Sequence, residues 1–190
     1  SLDTLTGFLP NFSDREKVYK ISPSQPTLLG LNKTRDNVAR VGFTLQETQI
    51  AQDVYQFSDS DSNLQRKITI NIFSSDFTLS SPYLLTPSLQ TLTSSNEKDN
   101  AIKTARSFLV DMSLFPEDID ENKTKTSLYS IAEATLIPAS KIAGSKIVRV
   151  DFFQKDVDGL PIYYDKGISS TIDLLIGKEN NELKVVNATY

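Results

Sequence analysis

Residues 96–112 read NEKDNAIKTARSFLVDM, and residues 147–164 read IVRVDFFQKDVDGLPIYY. The first stretch has one apolar helical face, made by Ala101, Ile102, Ala105, Phe108, Leu109 and Met112. Pro116 ends this helix. The second stretch alternates from Ile147 to Phe153, and its Asp158-Gly159 pair is a hairpin signal that leads into another apolar strand. A helix followed by strands, without a helix between them, predicts an α+β fold with an antiparallel sheet.

Apolar runs on both sides of the quoted strand extend the predicted sheet. Leu128 to Ala134 is one further strand. Ile172 to Ile176 and Leu183 to Val186 form a last hairpin across Gly177 to Glu182. In the helix, Asn96 is the expected N-cap, since an Asn side chain accepts hydrogen bonds from the first free amides.

A looser version of the same order lies between Thr27 and Leu79. Thr27 can cap a helix with an apolar stripe that includes Val38, and Gly42 followed by Phe43 predicts a Schellman ending. The strands expected after this helix are Val54 to Phe57, Lys67 to Phe73 and Asp76 to Leu79.

The chain of 190 residues therefore divides into two related units, each predicted as a helix packed on a small antiparallel sheet. Residues 27–85 form the first unit and residues 96–190 form the second. Residues 86–95, between them, are rich in Ser and Thr and are interpreted as a linker. Residues 1–26 are a lead-in with an edge strand at Val18–Ile21.

Composition restricts the chemistry of the chain. Neither Cys nor His occurs, which excludes thiol nucleophiles and thiolate zinc sites and removes the commonest general base. No metal or cofactor is expected. The net charge is −4 and the lysines are scattered, so a nucleic-acid partner is not expected either.

Two features of the sequence bear on the location of the protein. Neither a signal peptide nor an apolar stretch of about 20 residues, as a membrane helix requires, is present. The chain begins at Ser1 rather than Met. We therefore expect either a processed protein or a trimmed piece of a longer one, whose contact with a membrane would come only through a removed N-terminal anchor.

The second unit resembles a PepSY-type domain in four segments: helix 96–112, strand Val148–Phe153, turn and strand Asp158–Ile162, and closing hairpin Ile172–Val186. That family packs one helix across a small antiparallel sheet and occurs in bacteria as extracytoplasmic modules, often repeated. The organisation is also similar to that of Yyc-type kinase-regulator ectodomains. The resemblance covers residues 96–190 and, faintly, residues 27–80. It implies a non-enzymatic protein of the cell envelope, and it transfers no site residues.

Several acidic clusters have the composition of a metal or catalytic site. Asp59, Asp61 and Asn63 begin like a calcium loop, as do the residues from Asp118 to Asn122, but both lack the Gly and the bidentate Glu that such a loop needs. They are interpreted as solvated turns. Asp156 and Asp158 have the composition of a glycosidase pair, but a hairpin tip would leave them exposed, where a general acid does not form.

The candidate binding residues are aromatic. Phe153 ends one strand, and Tyr163 and Tyr164 follow the hairpin turn, so one aromatic residue of each pair can face outward. Phe153, Tyr163 and Tyr164 would then form a surface patch for a peptide or glycan. The alternative is that these rings are buried, between helix and sheet or between the two units.

The sequence favours a non-catalytic, extracytoplasmic module that binds a protein or peptide partner. Binding would use an exposed sheet face or a strand edge, and Val18–Ile21 and Leu183–Val186 are the expected edges. One alternative is a protease-inhibitory or propeptide-like module that inserts residues 156–161 into an enzyme. A second is a structural subunit of a surface assembly, and a third is a carboxylate-dependent hydrolase. Oligomeric state does not follow from the sequence.

Overall fold

The computed structural model describes residues 30–43, 46–59, 63–159, 162 and 170–190. Within them the chain has an α+β fold with two helices and a single antiparallel sheet of ten strands, which confirms the predicted fold class. The predicted edge strand Val18–Ile21, the cap Thr27 and the strand after Gly159 lie outside the described residues or largely so.

The helices are α1 (Gly30–Arg40) and α2 (Glu97–Asp111). The strands are β1 (Glu47–Ala51), β2 (Val54–Ser58), β3 (Lys67–Asn71), β4 (Phe77–Ser80), β5 (Leu89–Gln90), β6 (Lys125–Ala132), β7 (Thr135–Ala139), β8 (Ile147–Phe152), β9 (Ile172–Glu179) and β10 (Glu182–Thr189). Across the sheet the order is β1-β2-β3-β4-β10-β9-β8-β6-β7, with β5 paired to β9.

Strands from both predicted units belong to this one sheet. Leu79 and Thr78 of β4 pair with Ala188 and Thr189 of β10. The helix-then-strands order recurs along the chain, but the division into two related units stays a prediction.

The segment from 86 to 95, interpreted as a linker, packs on the sheet. Its β5 pairs with the end of β9, and Leu92 is fully buried, with its amide donating to the Ser145 carbonyl at 2.7 Å. The side chain of Leu89 packs directly against Gly177 of β9. A Cβ added to Gly177 would lie 2.9 Å from Leu89 Cδ2. Because Gly177 has no side chain, the segment that contains Leu89 can pack on β9.

The main core lies between the helices and one face of the sheet. Alternation places Val148, Val150 and Phe152 on that face, as predicted, where they are buried with α2 residues such as Phe108 and with Val38 of α1. A smaller cluster covers part of the opposite face: Leu64, Tyr83, Leu89, Ile147, Leu175 and Val186. The middle of the sheet is thus buried on both faces, whereas the outer strands β1 and β7 are mostly exposed.

The two helices end in the same way but with different residues. At the end of α1, the Phe43 amide donates to the Val38 carbonyl and the Gly42 amide to the Ala39 carbonyl, with Gly42 at φ +91°. This is the Schellman motif predicted from Gly42 and Phe43. The equivalent end of α2 is described with the candidate site below.

The N-terminus of α2 differs from the prediction. Asn96 stands at the cap position, but its side chain makes no capping hydrogen bond. The carboxylate of Glu97 accepts from the amides of Thr93 (2.6 Å) and Ser94 (2.9 Å) instead, and Lys178 donates to it at 2.7 Å. The cap prediction was wrong because Asn96 has helical φ and ψ, while the buried Glu97 reaches back to the preceding turn.

The structure places Asp59 and the segment Leu183–Val186 differently from the sequence predictions, and Arg66 contacts both. Asp59 is not a solvated turn residue, since its side chain is 3% exposed and paired with Arg66 at 2.6 Å. The segment Leu183–Val186, predicted as an edge, lies in β10 between β4 and β9; it pairs with β9, whereas β4 pairs only with the later residues Ala188 and Thr189. Where β4 no longer pairs with β10, Arg66 Nη1 donates to the Val185 carbonyl at 3.2 Å and Ser81 Oγ to the Val186 carbonyl at 2.7 Å.

We expect Arg66→Met to destabilise the fold by about 3–5 kcal/mol, because it leaves the Asp59 carboxylate buried without its partner. Arg106→Met is the matched control. Its pair with Glu121 is exposed, so the loss should be about 1 kcal/mol or less. Urea unfolding of both variants measures the difference, and equal losses would contradict the assigned role of Arg66.

Glu97→Gln should lower the stability of the fold in a pH-dependent way. Burial raises the pKa of the Glu97 carboxyl, but the hydrogen bonds from Lys178, Ser94 and Thr93 outweigh it and bring the pKa below its ordinary value. The ionised form therefore stabilises the fold above about pH 4.3, and this contribution is lost as the pH falls further. The free energy of unfolding should be higher for the wild type than for Glu97→Gln above about pH 4.3, and the difference should shrink as the pH falls. A constant difference would contradict the assignment.

Candidate functional site

A cleft of about 220 Å³ lies between α1, the turn from β3 to β4 and the C-terminal end of α2. Three separate parts of the chain line it: Gly30, Lys33, Thr34 and Asn37; Ile70, Ile72, Phe73 and Ser75; and Met112, Ser113 and Leu114. The floor is apolar, since Ile70 is 3% and Met112 is 1% exposed. The rim carries hydroxyl, amide and ammonium groups.

Asn37 connects the two helices beneath this cleft. It precedes Val38 on the inward side of α1 and is only 9% exposed. Its Nδ2 donates to the Met112 carbonyl at 2.8 Å, which satisfies one of the free carbonyls at the end of α2. Its Oδ1 accepts two longer bonds of 3.4 Å, from Ser113 Oγ and Arg40 Nη1. One amide side chain thus links α1 to the end of α2 by a direct hydrogen bond, beside the apolar contacts of Val38.

Ser113 occupies the place where α1 has Gly42. The Leu114 amide donates to the Leu109 carbonyl and the Ser113 amide to the Val110 carbonyl, both at 2.8 Å, so α2 also ends in a Schellman motif. Ser113 has φ +58°, a left-handed conformation that glycine adopts without steric cost and serine does not. A strained residue thus faces the cleft.

The third wall is the turn from β3 to β4. The side chain of Asn71 accepts from the amides of Phe73 (2.9 Å) and Ser74 (3.2 Å), an Asx-type turn that fixes the loop. Ser75 follows with φ +68° and donates its amide to the Asn71 carbonyl. This turn leaves the ring of Phe73 37% exposed beside the cleft.

The groups in the cleft are suited to binding. Among the described residues of the lining, Lys33 is the only charged one, and none carries a carboxylate. A Ser–Lys pair would require a hydrogen bond between Lys33 and Ser113, and the described contacts of the two residues include none. The geometry offers hydrogen-bond donors above an apolar floor.

The buried carboxylates of the described residues lie elsewhere and are neutralised. Glu97 pairs with Lys178, Asp151 pairs with Arg149 at 2.8 Å, and Glu179 pairs with Lys184 at 3.1 Å. Asp156 and Asp158 are exposed, as expected of a hairpin tip, and Asp156 pairs with Lys123. In the described ranges no three acidic side chains are grouped as a metal site would need.

The predicted aromatic residues are described only in part. Phe153 is 8% exposed, and the Lys125 ammonium lies 5.0 Å from the centre of its ring. This burial matches the alternative in which the ring is not a contact surface. Tyr163 and Tyr164 lie outside the described residues, so the patch as a whole stays a prediction.

Both outermost strands of the described sheet have a feature that hinders pairing with another chain. β7 contains Pro138, which has no amide to donate and is typical of a protected edge. In β1 the residues from Thr48 to Ala51 are exposed and uncharged, and Ile50 is 52% exposed. The register shift between Gln49 and Ala51 makes this strand irregular. A bulge of this kind turns an edge away from new partners.

The sequence did not predict the cleft. Its three walls come from residues far apart in the chain, such as Asn37 and Met112, and the local patterns indicate only helix ends and a turn. One signal was present: Asn37 is a polar residue beside the apolar stripe of α1, where an aliphatic residue would be ordinary.

No protein-family model matches this chain, and no curated protein or solved structure matches it. The resemblance to PepSY-type domains therefore stays a prediction. Neither α1 nor α2 has the length and apolar character to cross a membrane.

Ser113→Gly should stabilise the fold by about 0.5–1 kcal/mol, because glycine adopts the left-handed conformation without steric cost. Ala134→Gly is the matched control. It relieves the same strain, at φ +56°, in the turn between β6 and β7, far from the cleft lining. Thermal unfolding should show a gain in both variants, and a loss for Ser113→Gly would contradict the assigned strain.

Proposed function

We propose that this chain is a non-catalytic binding module that accepts a side chain of a protein or peptide partner in the cleft between α1 and α2. The observation that carries the proposal is the combination of an apolar floor, polar rim and strained Ser113 at one place. Residues held in rare backbone conformations cluster at binding sites, where the surrounding structure maintains the strain.

The size of the cleft supports a peptide rather than a cofactor. Its 220 Å³ lies below the roughly 300–1,000 Å³ typical of sites for drug-sized ligands. A space of this size holds one side chain. A partner would then gain most of its affinity from a single anchoring residue, as protein-binding surfaces commonly do.

The architecture supports the wider setting of the proposal. Both α1 and α2 are followed by antiparallel strands, and both helices end in a Schellman motif and contribute to one core. We therefore retain two related helix-and-sheet units of PepSY-like type, in an accessory or regulatory protein of the bacterial envelope. In that setting the cleft lies between the helices of the two units, so the relation of the units would determine its shape.

Thr34→Phe should abolish binding, because the new ring points from α1 into the cleft. The matched control is Asp36→Phe, which places the same ring on the exposed side of the helix. Random peptides displayed on phage would be selected against the wild type, and the enriched peptides titrated with all three proteins. We expect at least tenfold weaker binding by Thr34→Phe, equivalent to about 1.4 kcal/mol, and unchanged binding by the control.

Two results would contradict the proposal. Either no peptide is enriched on the wild type, or the enriched peptides bind Thr34→Phe as tightly as they bind the wild type. Thermal unfolding of Thr34→Phe excludes loss of the fold as the cause of weaker binding.

A further inference from the structure

The cleft has an unusual charge for this protein. The chain carries a net charge of −4, yet the described residues of the lining include Lys33 and no acidic residue. Lys33 makes no ion pair with any of the described residues, whereas Arg35, two positions later on the same helix, is paired with Glu47. Within the part of the chain that the structure describes, the cleft therefore presents the positive charge of Lys33 at its rim without an acidic partner, and an anionic group of a ligand can approach it there.

A second donor stands on the opposite wall. Ser113 Oγ lies 3.4 Å from Asn37 Oδ1, which is long for a bond from a hydroxyl group. A hydroxyl hydrogen rotates freely about its bond, so it can turn towards a better acceptor. Lys33 and Ser113 thus offer two donors, and hydrogen bonds to an ionised acceptor are stronger than those between neutral groups.

The floor sets a second requirement on the ligand. Ile70 and Met112 are buried beneath the cleft, and Phe73 exposes part of its ring beside it. An apolar group gains free energy when it covers such a surface. The ligand must therefore supply an apolar side chain and, close to it, an acceptor with negative charge.

We propose, on the basis of the proposed function, that the cleft binds the C-terminal residue of a peptide, with an apolar side chain on the floor and the terminal carboxylate on Lys33 and Ser113. A C-terminal residue bears both groups on one carbon atom. An internal Asp or Glu has its carboxylate in place of the apolar side chain, so one such residue cannot supply both. Capture of a terminal carboxylate is a recurring mode of peptide recognition.

N-acetylphenylalanine and N-acetylphenylalanine amide test this inference, since they share the side chain and differ in the charge. Each is titrated into ¹⁵N-labelled protein, and the amide signals of Ser75, Ser113 and the Asn37 side chain report binding in the cleft. We expect the acid to bind at least about fivefold more tightly than the amide. Lys33→Gln should make the two affinities equal, while Lys103→Gln, on an exposed part of α2 outside the lining, should leave the ratio unchanged.

Ser113→Gly separates binding from stability, because it should reduce the preference for the acid while raising the unfolding temperature. Equal binding of acid and amide in the wild type would overturn the carboxylate inference and leave peptide binding in the cleft intact. An unchanged ratio in Lys33→Gln would overturn it in the same way. Absence of any shift at the cleft signals with either probe would also overturn it. The peptide selection with Thr34→Phe decides the proposed function independently.

Discussion

The buried ion pair between Arg66 and Asp59 lies where β4 and β10 stop pairing, at the centre of the sheet. The pairing of β4 with the end of the chain is short: two residue pairs join β4 to β10, and Phe77 exchanges backbone hydrogen bonds with Tyr190. Before these residues the strands separate near a bulge in β10. Arg66 occupies this position, where its guanidinium bonds to Asp59 and to the Val185 carbonyl and lies 5.1 Å from the centre of the Phe43 ring. Desolvation of two charges costs several kcal/mol each, so the pair is favourable only because all of these bonds form together. Arg66 therefore adds to the backbone pairing of β4 with β10 and to the shared core that hold the two halves of the sheet together.

Much of the fold could be predicted where the chemistry is periodic. α2, β3, β8 and the last hairpin follow from apolar spacing, and the end of α1 follows from a glycine at the required position. β1 and β7 were missed because strands that are mostly exposed on both faces show no alternation. The turn between β6 and β7 was missed because Glu133 and Ala134 adopt the left-handed conformations usually taken by Asn and Gly.

The candidate site could not be predicted, for a related reason. Its central hydrogen bond joins two residues that are 75 positions apart, and local patterns carry no information about such contacts. Asp59 illustrates the same limit. In the sequence it looks like a turn residue, and only the return of the chain at Arg66 makes it a buried partner. The strain at Ser113 is likewise invisible until the helix end is built, since serine is an ordinary residue after a helix.

The position of β10 has a consequence for how the chain reaches this structure. Arg66 and the carbonyl it binds are 119 residues apart, and Ser81 and its partner carbonyl are 105 residues apart. Contacts that close such long loops form late and slow the search for the native state. Until β10 inserts, β4 presents an open row of amides and carbonyls, the kind of edge that another chain can join. The partly folded chain is therefore at greatest risk of aggregation just before its central strand is in place, and a high concentration of such chains would favour pairing between molecules over completion of the sheet.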